Sequence, residues 1–161
     1  MARLLRGLQS VELALAVAAL LAAALALIAD LVGRELLGQG VFGAQRAAVH
    51  LTFVAGVLGF SVAVGTGAHL RIKAAEAVVP RRWDPAVERA ASVVSMLLLL
   101  GLAWYAARFT LQTAQVGERS PTLQIPIWPI QAVMVWAFLS GAARYAIYLA
   151  DPSLKPKGEP S

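Results

Sequence analysis

Glu12 is the side chain in this sequence best placed to do chemistry, because residues 13–29 behind it hold no charged or strongly polar side chain. A carboxylate beside hydrocarbon costs several kcal/mol unless it is paired or protonated, so it is by default a candidate for proton or cation handling. Arg6 lies six residues away, about 9 Å along a helix, so Glu12 sits near the edge of the apolar stretch rather than at its middle. An interfacial or partner-facing carboxylate fits that depth better than a midplane proton site. Asp30 stands at the opposite edge and reads as a solvated end residue. The two histidines, His50 and His69, belong to one helical segment and are about 28 Å apart along its axis, so they cannot share a metal or a haem. With no cysteine, thiol nucleophiles, disulfides and thiolate-bound metals are excluded. Neither a G-x-S-x-G elbow nor a Gly-rich phosphate loop is present, so no enzyme, catalytic residue, metal site or cofactor is expected.

The elements that must position these residues follow from composition. Hydrophobic residues make up 59% of the 161 and charged ones 14%, against about 25% charged in an average globular chain. A mean hydropathy of +0.69 points the same way. A soluble monomer could not cover its surface with so few polar groups, so the surrounding solvent is lipid.

The fold class expected is an all-α membrane protein of four transmembrane helices over about 11–32, 47–68, 88–108 and 129–149. A 22-residue helix over 11–32 is about 33 Å long and crosses a hydrocarbon layer of about 30 Å. The third helix is expected to start before its apolar part, since Asp84 can cap free N–H groups and Pro85 suits a first helical position. Pro129 sits in the first turn of the fourth, where its missing N–H is harmless. Residues 1–150 thus read as a single domain, with a short interfacial helix over 70–79 in the central loop and a disordered tail over 151–161. Arg3 and Arg6 before an apolar stretch, with Ala24-Leu25-Ala26, also fit a cleavable signal sequence. The stretch is longer than a signal core of about 7–15 residues, which favours a retained span.

Lys and Arg placement sets the orientation. The side carrying both termini has ten: Arg3, Arg6, Arg71, Lys73, Arg81, Arg82, Arg89, Arg144, Lys155 and Lys157. The other side has four: Arg34, Arg46, Arg108 and Arg119. That bias puts both termini in the cytoplasm. The net charge of +5 is therefore a topology signal, with membrane lipids rather than nucleic acid as the surface it meets.

Small residues recur every four positions at Ala14, Ala18, Ala22 and Ala26 and again at Ala55, Gly59, Ala63 and Gly67. Such stripes let helix backbones approach closely where the hydrophobic effect offers nothing. The neighbour can be the same chain or another. The midplane otherwise holds Ala, Leu, Val and Gly, with Ser61, Ser95 and Ser140 the recurrent polar residues. A transporter acting alone ordinarily shows a broken helix or a polar constellation there. The sequence reads as a membrane-packed accessory subunit.

The layout and several short motifs resemble the small membrane subunit of tripartite ATP-independent periplasmic (TRAP) transporters, the DctQ-like family. Val11-Glu12-Leu13 is similar to the opening of the family's first helix, and Leu31-Val32-Gly33-Arg34-Glu35 to its end, with Glu35 where an aromatic is usual. Phe53-Val54-Ala55-Gly56-Val57-Leu58-Gly59 leads to Gly67-Ala68-His69-Leu70-Arg71-Ile72, like the family's Gly-rich helix ending in a His. Ser120-Pro121-Thr122-Leu123-Gln124-Ile125-Pro126-Ile127-Trp128 resembles the segment before its fourth helix. Gln45-Arg46 and Lys73 stand where the family usually has acids.

The resemblance implies a non-catalytic scaffold in the bacterial inner membrane. Its partners are a large sodium-coupled membrane subunit and a periplasmic substrate-binding protein, and the solute is of carboxylate type. Glu12, Ala18, Ala22, Ala55, Gly59, Ala63, Gly67 and His69 are then candidates for the large-subunit interface, and Arg34, Arg46, Arg119 and Trp128 for periplasmic docking. The competing class is a stand-alone oligomeric exporter or channel that uses Glu12. A haem-bearing anchor of a redox enzyme is a third, for which the ligands are scarce.

Overall fold

The computed structural model describes the chain over 2–65 and 84–150, with side chains described over 5–65 and 89–150. The helix expected over 70–79, the tail 151–161, Gly67, His69 and Lys73 lie outside the described residues. Within them the protein is all-α. Four helices, each long and apolar enough to cross a membrane, follow one another: α1 (Ala2–Leu37), α2 (Ala44–Gly65), α3 (Asp84–Val116) and α4 (Trp128–Ala150).

The helices pair as two hairpins, α1 with α2 and α3 with α4, and α2 packs on α4 to join them. Glycines outside the right-handed region end the long helices. Gly38 (φ 68°) follows α1, and Gly117 (φ 71°) follows α3. At α3 the Glu118 N–H reaches back to the Thr113 carbonyl at 3.2 Å and the Gly117 N–H to that of Ala114 at 3.2 Å. This double closure satisfies carbonyls that a helix end leaves free.

The loops 38–43 and 117–127 meet at one end of the bundle. Gly43 has φ 80°, a left-handed conformation that favours glycine, and it packs against the Leu123 side chain, whose Cδ2 would stand 2.6 Å from a Cβ there. In the longer loop the Ser120 N–H bonds the Ile125 carbonyl and the Gln124 N–H the Ser120 carbonyl, both at 2.9 Å. Arg119 is folded onto the same loop, donating to the Gln124 carbonyl at 3.3 Å.

The buried residues of α1 are Glu12, Ala16, Ala19, Ala23, Asp30 and Gly33; those of α3 are Ser92, Leu99, Ala103, Ala106, Thr110 and Thr113. Both sets alternate steps of three and four, with one position of the α1 series and one of the α3 series left part-exposed. An average of 3.5 residues keeps one seam facing a partner helix. This internal seam is a different row from the stripe read at Ala14, Ala18, Ala22 and Ala26. Ala14, Ala18 and Ala22 are exposed, and the seam against α2 runs through Ala16, Ala19 and Ala23. A strict step of four turns about 400°, so the row drifts about 40° per step and leaves the contact. On α2, Ala55 is buried, whereas Gly59 and Ala63 are part-exposed and a Cβ on Gly59 would meet nothing within 4 Å.

The small residues on the seams are sites of close approach, and Ala137 is fully buried at 0% exposure. Ala137→Leu is expected to destabilise the purified protein by about 1–3 kcal/mol through overpacking, whereas Ala22→Leu should leave it close to wild type. Thermal unfolding in mild detergent separates the two.

Candidate functional site

Glu12 does not face lipid or solvent. It is 2% exposed, in the seam where α1, α2 and α4 converge. The element that supplies its counter-charge is α4: Arg144, 1% exposed, places Nη2 2.5 Å from Glu12 Oε2. The Ser61 hydroxyl of α2 donates to the same oxygen at 3.0 Å. The Ser140 hydroxyl, one turn before Arg144, donates to Oε1 at 2.8 Å. Arg144 Nη1 donates in turn to the Ser61 carbonyl and lies 3.4 Å from the Ser61 hydroxyl. Both carboxylate oxygens and both terminal guanidinium nitrogens are therefore engaged inside the bundle.

Local sequence explains how the knot fits. Ser140 and Arg144 are one turn apart and so share a face of α4. Gly65 leaves room for the guanidinium: a Cβ there would stand 2.8 Å from Arg144 Nη1 and 3.1 Å from Cζ. The Tyr148 hydroxyl, a turn further along α4, reaches the Gly65 carbonyl at 3.5 Å.

A second charged cluster marks the loop end of α1. Asp30 is 5% exposed and pairs with Arg34 one turn on, Nη2 to Oδ2 at 2.9 Å and Nε to Oδ2 at 3.1 Å. Gln45 of α2 adds a donor at 3.4 Å. Glycine at position 40 lets the loop pass against this pair, since a Cβ would collide with Asp30 Oδ1. Asp30, expected as a solvated end residue, is thus buried and paired.

Arg34 and Arg46 line one cavity of about 540 Å³ with Val41, Phe42, Val49 and Thr122. Arg46 makes no ion pair among the described residues. Arg119 is engaged with its own loop, and Trp128 opens α4 with 45% of its surface exposed. Ala18 and Ala22 line an apolar groove of about 690 Å³ between α1, α2 and α4, in which Leu15, Val54, Val133 and Trp136 also take part. His50 lies within α2, half-buried, with Nε2 lacking a hydrogen-bond partner. Among the described residues no group of three His, Cys, Asp or Glu could hold a metal.

Sequence reading singled out Glu12 but missed Arg144, which it counted among the surface charges that set topology. Burial in an ion pair removes it from that count and leaves nine against four. A signal for the pair was present in the depths. Arg144 lies 16 residues into α4, about 24 Å from its start, while Glu12 lies 18 residues, about 27 Å, from Asp30 at the loop end of α1. Both charges are therefore far from the loop end at nearly equal depth. Ser61 and Ser140, noted as sparse midplane polarity, are the hydroxyls that complete the site.

Among families of known proteins, the one described as "Tripartite ATP-independent periplasmic transporters, DctQ component" matches residues 23–152. No curated protein matches the chain.

Removing one member of the knot strands a charge in a low-dielectric interior, a loss of about 3–5 kcal/mol for buried pairs. Glu12→Leu and Arg144→Leu are each expected to lower stability on that scale. The double variant should recover part of the loss because neither charge is left alone. Chemical denaturation of the four proteins in one detergent measures the coupling. Additive losses would show that the two side chains do not act as a pair.

Proposed function

The chain belongs to the DctQ component family of tripartite ATP-independent periplasmic transporters, and from that premise we propose that it is a non-catalytic scaffold subunit. In this reading it holds a larger membrane subunit that carries the solute with sodium, and helps to seat a soluble substrate-binding protein. The solute class is a carboxylate. The chain lies in the bacterial inner membrane with both termini in the cytoplasm, as the nine-against-four distribution of basic residues favours.

The observation that carries the reading is the closed state of Glu12. A carboxylate whose acceptor sites are filled from within the bundle supports a structural role over proton or solute handling. Here the carboxylate accepts from Ser61, Ser140 and Arg144 within the bundle. The outward surface of α1 is instead a nearly unbroken apolar face, with Leu13, Leu20, Leu25 and Ile28 each about half exposed or more. Such a surface suits attachment to lipid and to other helices. Ala18 and Ala22, left free by the internal seam, are the α1 positions where a helix of the large subunit would approach most closely. Ala55 serves the internal packing, and Gly59 and Ala63 flank it on α2. The end that bears both loops, with Arg119 and Trp128 at its rim, is the docking face for the soluble protein.

The stand-alone exporter reading requires transport by the purified chain and dependence on a titrating Glu12. The scaffold reading requires neither. Purification in mild detergent through a C-terminal tag should bring down a larger polytopic membrane protein, and Ala22→Leu should weaken that recovery while the bundle itself stays folded. Recovery of the chain only as a homo-oligomer that moves solute in liposomes would refute the scaffold assignment.

A further inference from the structure

We infer that the cavity at the loop end of α1 and α2 binds the phosphate of an anionic phospholipid, with Arg46 as its principal ligand. This is independent of the scaffold reading and concerns residues that the internal network does not use up.

Depth comes first. Asp30 lies 18 residues beyond Glu12 on one continuous helix, about 27 Å, and the residues between them carry no charge. That is close to one hydrocarbon thickness of about 30 Å. Arg34, a turn past Asp30, and Arg46, in the first turn of α2, therefore stand at the level where lipid headgroups begin.

Charge comes second. The cavity walls hold Arg34, Arg46 and one acid, Asp30, which leaves a single positive charge uncompensated. Asp30 is committed to Arg34, whose side chain stays 55% exposed, while Arg46 is exposed and without an ion pair among the described residues. One phosphodiester monoanion balances that excess. Gln45 and Thr122 supply neutral donors in the same cavity. Guanidinium binds phosphate through charge-assisted hydrogen bonds of fixed fork geometry, stronger than neutral ones.

Shape comes third. Val41, Phe42 and Val49 line the cavity as well, and Phe42 is 82% exposed and Val49 60% exposed. A free inorganic anion would leave these apolar side chains in water. A lipid covers them with its glycerol backbone and upper acyl chain while its phosphate meets Arg46. A zwitterionic headgroup would bring an ammonium into a cavity already positive, so an anionic lipid fits better.

The test uses the full chain purified in a mild detergent, with lipid retention read by native mass spectrometry. Phosphatidylglycerol is titrated against wild type, Arg46→Gln, Arg46→Lys and, as a control, Arg108→Gln, with diacylglycerol and inorganic phosphate as separate probes. Wild type and Arg108→Gln are expected to retain phosphatidylglycerol alike. Arg46→Gln should lose about tenfold or more in apparent affinity, and Arg46→Lys should keep part of it. Equal retention by Arg46→Gln with unchanged melting would overturn the assignment, as would equal binding of diacylglycerol. Protection by inorganic phosphate alone would mean a free-anion site instead of a lipid site. If Arg46→Gln kept its lipid and lost only capture of the soluble protein, the cavity would be a seat for an acidic side chain of that protein, and the lipid assignment would fail.

Discussion

The ion pair between Glu12 and Arg144 is the constraint on which the rest of the bundle depends. Helices surrounded by lipid gain little from excluding apolar surface, so their relative positions are set by close packing and by polar contacts. Apolar seams of Ala and Leu tolerate sliding and rotation because neighbouring registers look alike. A carboxylate with two donors on one oxygen and one on the other does not. Any shift of α1 against α4 by one residue would separate Glu12 from Arg144 in a medium where neither charge can be left alone. The knot spans α1, α2 and α4, so it ties the first hairpin to the second, where α2–α4 packing provides the helix contact. Buried ion pairs are weak evidence for stability, since an apolar replacement can serve as well. Their better-attested role is to fix register, and that is the role the geometry here supports.

A second charged cluster at the other end of α1 completes the frame. The Asp30–Arg34 pair and Gln45 hold the end of α1 against the start of α2, and Gly40 lets the connecting loop cross directly over the pair. Gly43 against Leu123 then joins this loop to the one between α3 and α4. The two hairpins are thus fastened near both ends, by polar contacts at one and by loop packing at the other. Between them the seams are filled by small residues such as Ala19, Ala23, Ala103 and Ala106, which bring backbones close.

Much of this was legible in the sequence, and the failures have identifiable physical causes. Four apolar segments bounded by charges and Pro129 in a first helical turn follow from hydropathy and backbone preference alone. Motifs such as Leu31-Val32-Gly33-Arg34 carried a true resemblance, since the family match extends over 23–152. The internal seam of α1 was not legible in the small-residue stripe, because a spacing of four is abundant in an alanine-rich helix and only the alternation of three and four stays on one face. Arg144 was misread because a basic residue near the end of a span usually belongs to the membrane surface. Its burial depends on a partner 132 positions earlier in the chain, and no local pattern contains that information. Composition hid part of it as well: two of the four residues in the knot, Ser61 and Ser140, are ordinary for a membrane helix, and only their position against Glu12 and Arg144 makes a site.

Closure of the knot also bears on what kind of component this is. A membrane protein that moves a solute must hold polar groups open to it in at least one state, and must change which side they face. Here the polar groups of the α1–α2–α4 junction are directed at one another, and opening them would strand a carboxylate or a guanidinium. The energetic penalty that protects register also opposes the rearrangement a carrier needs. The outer faces of α1 and α3, rich in exposed Leu, Val and aromatic side chains, carry no such penalty and can accept lipid or another helix without disturbing the interior. Stiffness inside with an adaptable apolar surface outside suits the proposed scaffold, a part that stays still while a neighbour moves, and in that reading the charge pair that gives the stiffness also keeps Glu12 occupied.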